Sequence, residues 1–147
     1  MSYPSEDNLR RWIAFVAALG VGVATYIAIV ESGGGSPVCL AGGTGCATVA
    51  KSSYSHVAGV NIAIFGVIGY LLLLASAFFA NDAARFGGFL VSLGGFGYSV
   101  FLTYIEIFKI EAICQWCVAS AVLMTVIFLL NATRLIAYGG NELQEAR

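Results

Sequence analysis

Two cysteines separated by two residues, Cys114 and Cys117, form the part of the sequence best suited to chemistry. They lie between a charged break at Lys109 and Glu111 and an apolar run that begins at Val118. Residues three apart on a helix share a face, so the two sulfurs are close enough to bridge. The free N–H groups and the positive dipole end of a helix start stabilise a thiolate. The spacing therefore suits thiol–disulfide exchange, although a structural disulfide or two unpaired thiols fit it equally well.

The other two cysteines, Cys39 and Cys46, have six residues between them in a glycine-rich loop. They can close a small, mobile disulfide ring, which taken alone fits a structural bridge. Together with Cys114 and Cys117, the ring favours a two-stage electron relay. A zinc site made from all four cysteines is the competing interpretation, but such sites usually combine two short-spaced pairs. We therefore predict no metal site.

The composition indicates a membrane protein with a single domain, residues 1–147. Of the 147 residues, 59% are hydrophobic and only 10% are charged, whereas soluble domains carry roughly 25% charged residues. The formal net charge is −1 and the sequence contains no basic run. This charge pattern excludes an electrostatic footprint for nucleic acid.

Four apolar runs are long enough to predict membrane-spanning helices. The first, Trp12–Val30, exceeds the hydrophobic core of a signal peptide and is followed by no small-residue cleavage site. We predict an all-α fold: a polytopic bundle of four transmembrane helices with a cysteine-bearing outer loop, in which Ala47–Ser55 forms a short surface helix. The predicted spans are 12–30, 57–80, 86–108 and 114–136, and the outer loop is 31–56.

Two polar residues lie at or within these predicted spans. Glu106 is inside the third span, about one turn from its outer end, and acids within membrane spans are often functional. At this depth, however, its side chain can also reach the interface. His56, the only histidine, is interpreted as an interfacial polar residue at the edge of the second span.

The distribution of basic residues predicts the orientation of the bundle. Four spans place both termini on one side, and basic residues are enriched on the cytoplasmic side of membrane proteins. We therefore expect cytoplasmic termini in a cell membrane, with both cysteine pairs on the outer face, where disulfides persist. Five arginines fall on the terminal side and two lysines on the other: Arg10, Arg11, Arg85, Arg134 and Arg147 against Lys51 and Lys109.

The order of these features resembles the vitamin K epoxide reductase family, and in particular its bacterial and archaeal homologues that act as disulfide-forming oxidases. The resemblance covers roughly residues 12–137. DsbB-type oxidases also use four helices, but their CxxC pair precedes the spaced pair, which is the reverse of the order here. The matching features are Cys39 and Cys46, a serine six residues later, the run Ile64-Phe65-Gly66 with Gly69-Tyr70, and the CxxC pair that opens the fourth span.

The resemblance implies a role for each cysteine. Cys114 and Cys117 correspond to the active-site pair, with Cys117 facing a quinone of the ubiquinone or menaquinone type. Cys39 and Cys46 correspond to the loop pair that shuttles electrons. Ser52 corresponds to the family serine or threonine that assists transfer between the pairs.

The same resemblance implies a quinone pocket lined by Cys117, Phe65, Asn61 and Ala121. Phe65 matches an aromatic residue that lines this pocket in relatives. Relatives that reduce vitamin K epoxide have a tyrosine four residues after the second CxxC cysteine, where this chain has Ala121. The amide that grips the quinone there would fall at Ile62, next to Asn61. Both departures argue against epoxide reduction.

The activity implied is that of a quinone-dependent protein-disulfide oxidoreductase. No thioredoxin-like domain is fused to the four predicted spans, so we expect the partner to be a separate secreted, thioredoxin-like (DsbA-like) protein. Two alternatives stay open. One is a quinone or vitamin K epoxide reductase whose product is the quinol itself, and the other is a non-catalytic tetraspan scaffold with two structural disulfides.

Overall fold

A computed structural model describes residues 2–40 and 42–139; Arg147, which was counted in the orientation argument, lies outside this part. The described chain contains four long helices, one short helix, one two-stranded hairpin and two irregular helical turns. In chain order these are α1 (Glu6–Ser32), α2 (Gly45–Ala50), a 3₁₀ turn (Ser53–Ser55), β1 (His56–Val57), β2 (Val60–Asn61), α3 (Ile62–Phe78), α4 (Asp82–Ile105), a π-helical turn (Glu106–Ile110) and α5 (Gln115–Tyr138).

The four long helices form the bundle. Helices α1 and α4 each pack against both α3 and α5. Three helices are long and apolar enough to cross a membrane, namely α1, α4 with its π-helical turn, and α5, while α3 is apolar but shorter. The chain is therefore a helical, multi-pass membrane protein, as predicted. The central core consists of Val16, Ala17, Ala24, Tyr70, Leu73, Met124 and Ile127.

The start predicted for the second span was wrong. Residues 56–61 form an antiparallel hairpin in which His56 pairs with Asn61, so the fold is not purely α-helical. Ala58 and Gly59 turn the chain with positive φ angles of 52° and 81°. The side chain of Asn61 then caps α3 by accepting a hydrogen bond from the Ala63 N–H at 2.8 Å. With 17 residues, α3 is about 26 Å long at 1.5 Å per residue.

Arginine side chains cap the other end of this short helix. Arg10 Nε donates to the Ala77 carbonyl at 2.7 Å. Arg134 donates to the carbonyls of Ser76 and Phe79, and Arg85 to that of Ala80. The last carbonyls of a helix have no partners within it, and here guanidinium groups satisfy several of them. We call this end of the bundle the arginine end, defined by Arg10, Arg85 and Arg134, and the opposite end, with the four cysteines, the cysteine end.

At the cysteine end, two predicted elements differ from those observed. The surface helix expected at Ala47–Ser55 begins earlier and ends at Ala50, and the 3₁₀ turn replaces its second half. The third span continues beyond α4 through the π-helical turn, and the cap residue that follows the turn, Glu111, has a φ of 55°. Insertions of this π type are frequent at functional sites. Here the turn begins with Glu106, whose side chain is buried.

Candidate functional site

The loop disulfide joins Cys39 and Cys46, whose Cα atoms are 5.8 Å apart. The two sulfurs have different surroundings. Cys39 is partly exposed, and its Sγ accepts a hydrogen bond from the Cys46 N–H with an N–S distance of 3.3 Å. Cys46 lies in the first turn of α2 and is only 1% exposed. A thiol that arrives from solvent therefore reaches Cys39 more easily than Cys46.

Cys114 and Cys117 are unbridged in this structure and lie at the start of α5. Cys114 is the N-cap residue, just outside the membrane-spanning helix, and its Sγ accepts a hydrogen bond from the Cys117 N–H with an N–S distance of 3.4 Å. Hydrogen bonding by the Cys117 side chain lowers the pKa of the Cys114 thiol, although burial and the nearby Glu106 act in the opposite direction. Cys114 is thus the sulfur of this pair that ionises more readily.

A single cavity of about 420 Å³ connects the two cysteine pairs. Its lining includes Cys46 from the loop pair and both cysteines of the CxxC pair. All four long helices and α2 contribute to its walls. The bundle therefore collects three of the four sulfurs around one space. Most of the wall is apolar; Ile62, Leu102 and Met124 are examples.

Close packing brings the loop pair onto the start of α5. Gly45, the residue before Cys46, lies directly against the backbone carbonyl of Ile113, the residue before Cys114. A Cβ atom at position 45 would collide with that oxygen. Glycine is thus required here for close approach rather than for flexibility alone. The approach sets the two cysteine-bearing segments side by side.

Hydrogen bonds also hold the segment before Cys39. The Trp116 indole N–H donates to the Val38 carbonyl at 2.8 Å, and the Val38 N–H donates to the Tyr26 hydroxyl at 3.3 Å. The rings of Tyr26 and Trp116 contact each other, with centroids 4.9 Å apart. We call Tyr26, Val38 and Trp116 the loop clamp. It ties the loop disulfide to both α1 and the CxxC segment.

The remaining residues predicted from the resemblance lie at or next to the cavity. Ser52, Phe65 and Ala121 line it, and the Ser52 hydroxyl donates to the Val49 carbonyl at 2.7 Å. Asn61 is buried, and its amide donates to the carboxylate of Glu31. Glu31 is itself a lining residue. Asn61 therefore acts on the cavity wall through Glu31 and through its cap of α3.

Several polar groups of the cavity wall were not predicted from the sequence, among them Glu31, Tyr70 and Ser120. Residue 31 was predicted to begin the outer loop, whereas Glu31 lies in the last turn of α1. The Tyr70 hydroxyl contacts Ser120 at 2.9 Å, and both residues line the cavity. The spacing of Tyr70 and Ser120 along the chain carries no sign of this pairing, because it depends on how α3 packs against α5.

A zinc site formed by all four cysteines does not fit this arrangement. The sulfurs of Cys39 and Cys46 are bonded to each other, so neither is a thiolate ligand. Within residues 2–40 and 42–139, no three His, Cys, Asp or Glu side chains are grouped so that they could hold a metal ion. The cavity is instead an apolar space with sulfur and oxygen groups on its wall.

Comparison with known proteins agrees with this geometry. A model of the vitamin K epoxide reductase family matches residues 11–132, which is most of the chain. No curated protein matches it. The matched region includes both cysteine pairs and nearly all of the bundle. The chain belongs to the vitamin K epoxide reductase family.

Proposed function

We propose that this protein is a membrane thiol–disulfide oxidoreductase that oxidises a separate, secreted thioredoxin-like protein and delivers the electrons to a membrane quinone. The single observation that carries the proposal is the unequal exposure of the loop disulfide. Cys39 is partly exposed, whereas Cys46 is 1% exposed and lines the same cavity as Cys114 and Cys117. One sulfur is thus available to a soluble partner and the other to the CxxC pair.

The exposure difference supports a definite order of exchange. A thiolate of the partner attacks Cys39 Sγ, and Cys46 leaves as a thiolate. Cys46 then attacks Cys114 of the oxidised CxxC pair and releases Cys117. The partner's second thiol frees Cys39, which closes the loop disulfide again and releases Cys114. The products are a partner disulfide and a reduced CxxC pair.

The cavity has suitable dimensions and chemistry for a quinone head group. Its volume of about 420 Å³ falls within the range of roughly 300–1,000 Å³ found for small-molecule sites. Apolar walls suit a ring, and Ser52 and Tyr70 place hydroxyls at the lining. A bound quinone would supply the two-electron acceptor. Cys117, which also lines the cavity, would be the sulfur that faces it.

The protein's own residues favour disulfide formation over epoxide reduction. Ala121 lines the cavity at the position where epoxide-reducing relatives carry a tyrosine. The side chain at this position therefore presents a methyl group and no hydroxyl. We infer that ubiquinone or menaquinone types, rather than an epoxide, are the substrates of this pocket.

The proposed location is the cell membrane, with the arginine end in the cytoplasm and the cysteine end outside. Arg10, Arg85 and Arg134 lie at the arginine end together with the N-terminal segment, whereas Lys51 and Lys109 lie at the cysteine end. We also propose that the shorter apolar helix α3 crosses the membrane, which gives the bundle four spans. An outer cysteine end would expose Cys39 to secreted partners in a compartment where disulfides persist.

Cysteine variants test the relay. Cys39→Ala is expected to abolish turnover with a thioredoxin-like protein but to permit quinone reduction by dithiothreitol, which reduces the CxxC pair directly. Cys117→Ala is expected to abolish both reactions. Both are measured as quinone absorbance changes with purified protein in detergent. Quinone reduction by Cys117→Ala would contradict the proposed order.

Thiol trapping separates the relay from a scaffold with structural disulfides. In the relay, added quinone shifts Cys114 and Cys117 from alkylatable thiols to a disulfide. In a scaffold, the cysteine state does not depend on quinone. Gel-shift alkylation of wild-type protein with and without a short-chain ubiquinone therefore decides between them.

A further inference from the structure

A buried acid, Glu106, lies beside both sulfurs of the CxxC pair. It begins the π-helical turn that follows α4, and it is 5% exposed. Its backbone carbonyl accepts a hydrogen bond from the Ala112 N–H at 3.2 Å. This bond closes the turn that connects Glu106 to the segment before Cys114. The geometry of the turn thus directs the carboxyl group toward the cavity, which it lines.

One carboxyl group contacts both halves of the dithiol. The Glu106 Oε2 atom accepts a hydrogen bond from the Cys114 N–H at 3.3 Å. The Cys117 thiol also hydrogen-bonds to the Glu106 side chain. Glu106 therefore touches the sulfur that the relay assigns to the quinone. No other acidic side chain in the described chain makes these contacts.

The cavity provides Glu106 with no positive partner. In the part of the chain that the structure describes, no Lys, Arg or His side chain lies within the 4.0 Å ion-pair distance of Glu106, and none lines the cavity. An unpaired, buried carboxylate is costly, and binding a proton removes that cost. The titratable groups that line the cavity with Glu106 are Glu31 from α1, Tyr54 from the outer loop, Tyr70 from α3, Tyr98 from α4, and Cys114 and Cys117.

We propose that Glu106 is a catalytic residue that carries a proton between Cys117 and the quinone. Its carboxylate accepts the proton of the Cys117 thiol as that sulfur becomes nucleophilic. The resulting carboxylic acid then donates the proton to a quinone oxygen. This inference rests on the proposed function and names the group that handles protons at the same site.

The proton and electron balance of the step is complete. Oxidation of the Cys114–Cys117 dithiol forms one S–S bond and releases two electrons and two protons. Reduction of the quinone to a quinol consumes both. Glu106 transfers the Cys117 proton and returns to its carboxylate form. The Cys114 proton passes to water, and the second quinol oxygen takes its proton from water.

Two substitutions distinguish proton transfer from a purely positioning role. Glu106→Gln keeps an oxygen that accepts the Cys114 N–H but cannot bind and release a proton. Glu106→Asp keeps a carboxyl group but shortens its reach. If Glu106 carries a proton, the Asp variant is the faster of the two. If it only positions Cys114, the Gln variant is the faster.

The measurement is single-turnover oxidation of the dithiothreitol-reduced full chain by a short-chain ubiquinone, followed by stopped flow from pH 5 to pH 9. General acid–base catalysis contributes roughly 10²–10⁴-fold to a rate, so Glu106→Gln is expected to lose that factor. It should also lose the fall in rate at acid pH that protonation of Glu106 causes in the wild type. Glu106→Asp should retain that fall at a reduced overall rate.

Glu111→Gln is the matched control, because Glu111 is an exposed acid that directly follows the same turn. Its rate and pH profile should equal those of the wild type. A wild-type rate and pH profile in Glu106→Gln, or a faster Gln than Asp variant, would overturn the inference while leaving the relay intact. A wild-type protein that fails to reduce quinone would instead refute the proposed function itself. If Glu106→Gln does not fold, the pH profile of Glu106→Asp tests the inference in its place. A Glu106→Asp variant whose rate does not fall at acid pH would contradict proton transfer by this residue.

Discussion

At the residue scale, the two sulfurs of the CxxC pair have different acidity. Hydrogen bonding from Cys117 lowers the pKa of Cys114, against the opposing effects of burial and Glu106. A thiol with a lower pKa is a better leaving group in disulfide exchange. In the proposed order, Cys114 must leave from its mixed disulfide with Cys46. The lowered pKa therefore matches the task assigned to Cys114.

A thiolate titration tests this difference. In a Cys39→Ala/Cys46→Ala background, only Cys114 and Cys117 titrate, and ultraviolet thiolate absorbance follows them in the reduced protein. The first step should occur below the ordinary cysteine value of about 8.5, so Cys114 is the thiolate above that midpoint and the thiol below it. Cys117→Ala removes the side-chain hydrogen bond but keeps the backbone N–H that Cys117 donates, and it should move the step to higher pH. A midpoint that is unchanged by Cys117→Ala would contradict the assigned cause.

Residue types and spacing were sufficient to single out the four cysteines, because sulfur chemistry depends on the residues themselves. Ser52, Phe65 and Ala121 came only from the resemblance to a family, and the structure places them at the cavity. Glu31 could not be recognised in this way. Its role at the wall depends on Asn61, 30 residues further along the chain, and nothing local indicates that contact.

At the scale of elements, the loop clamp joins parts of the chain that are far apart in sequence. Helix α1 supplies Tyr26 and the first turn of α5 supplies Trp116. Between them they bind both backbone polar groups of Val38, the residue before Cys39. The clamp thus restricts the loop disulfide to positions near the CxxC pair. We expect it to speed transfer between the two pairs rather than chemistry within either one.

Trp116→Phe tests the clamp, since it keeps an aromatic ring against Tyr26 and removes the indole N–H. A typical hydrogen bond contributes about 0.5–1.5 kcal/mol, so turnover with a thioredoxin-like partner should fall roughly two- to tenfold. Quinone reduction driven directly by dithiothreitol should not change. Trp12→Phe serves as the control, because Trp12 is 59% exposed. Equal losses in both reactions would show that Trp116 acts on the CxxC pair itself.

Long apolar runs made the four helices predictable, but their ends depended on local groups. The hairpin was missed because Val57 and Val60 extend the apolar run of α3, and only the turn at Ala58 and Gly59 separates them from the helix. The π-helical turn was also missed, since no residue type requires it. The contact of Gly45 with Ile113 arises from tertiary packing, and a glycine in a loop is ordinarily interpreted as flexibility.

At the scale of the whole molecule, charge is concentrated inside the arginine end. Glu6 binds Arg85 through both carboxylate oxygens, at 3.0 and 2.9 Å, and also accepts from Arg134 Nε at 3.3 Å. Arg134 is fully buried and Arg85 is 7% exposed. Two of the arginines counted for orientation therefore hold helices together. The cluster links α1, α4 and α5 at the end opposite the sulfurs.

Glu6→Gln removes the one carboxylate that these two buried guanidinium groups share. Breaking a buried ion pair by removing one partner typically costs about 3–5 kcal/mol, so we expect a clear fall in the thermal unfolding temperature in detergent. Asp7→Asn, at the adjacent acid with a 78% exposed side chain, should leave that temperature nearly unchanged, since exposed pairs contribute little. Folded Glu6→Gln protein should still reduce quinone at the wild-type rate, because the cluster and the cavity lie at opposite ends of the bundle. A loss of quinone reduction without a loss of stability would instead show that the arginine end acts on the redox site.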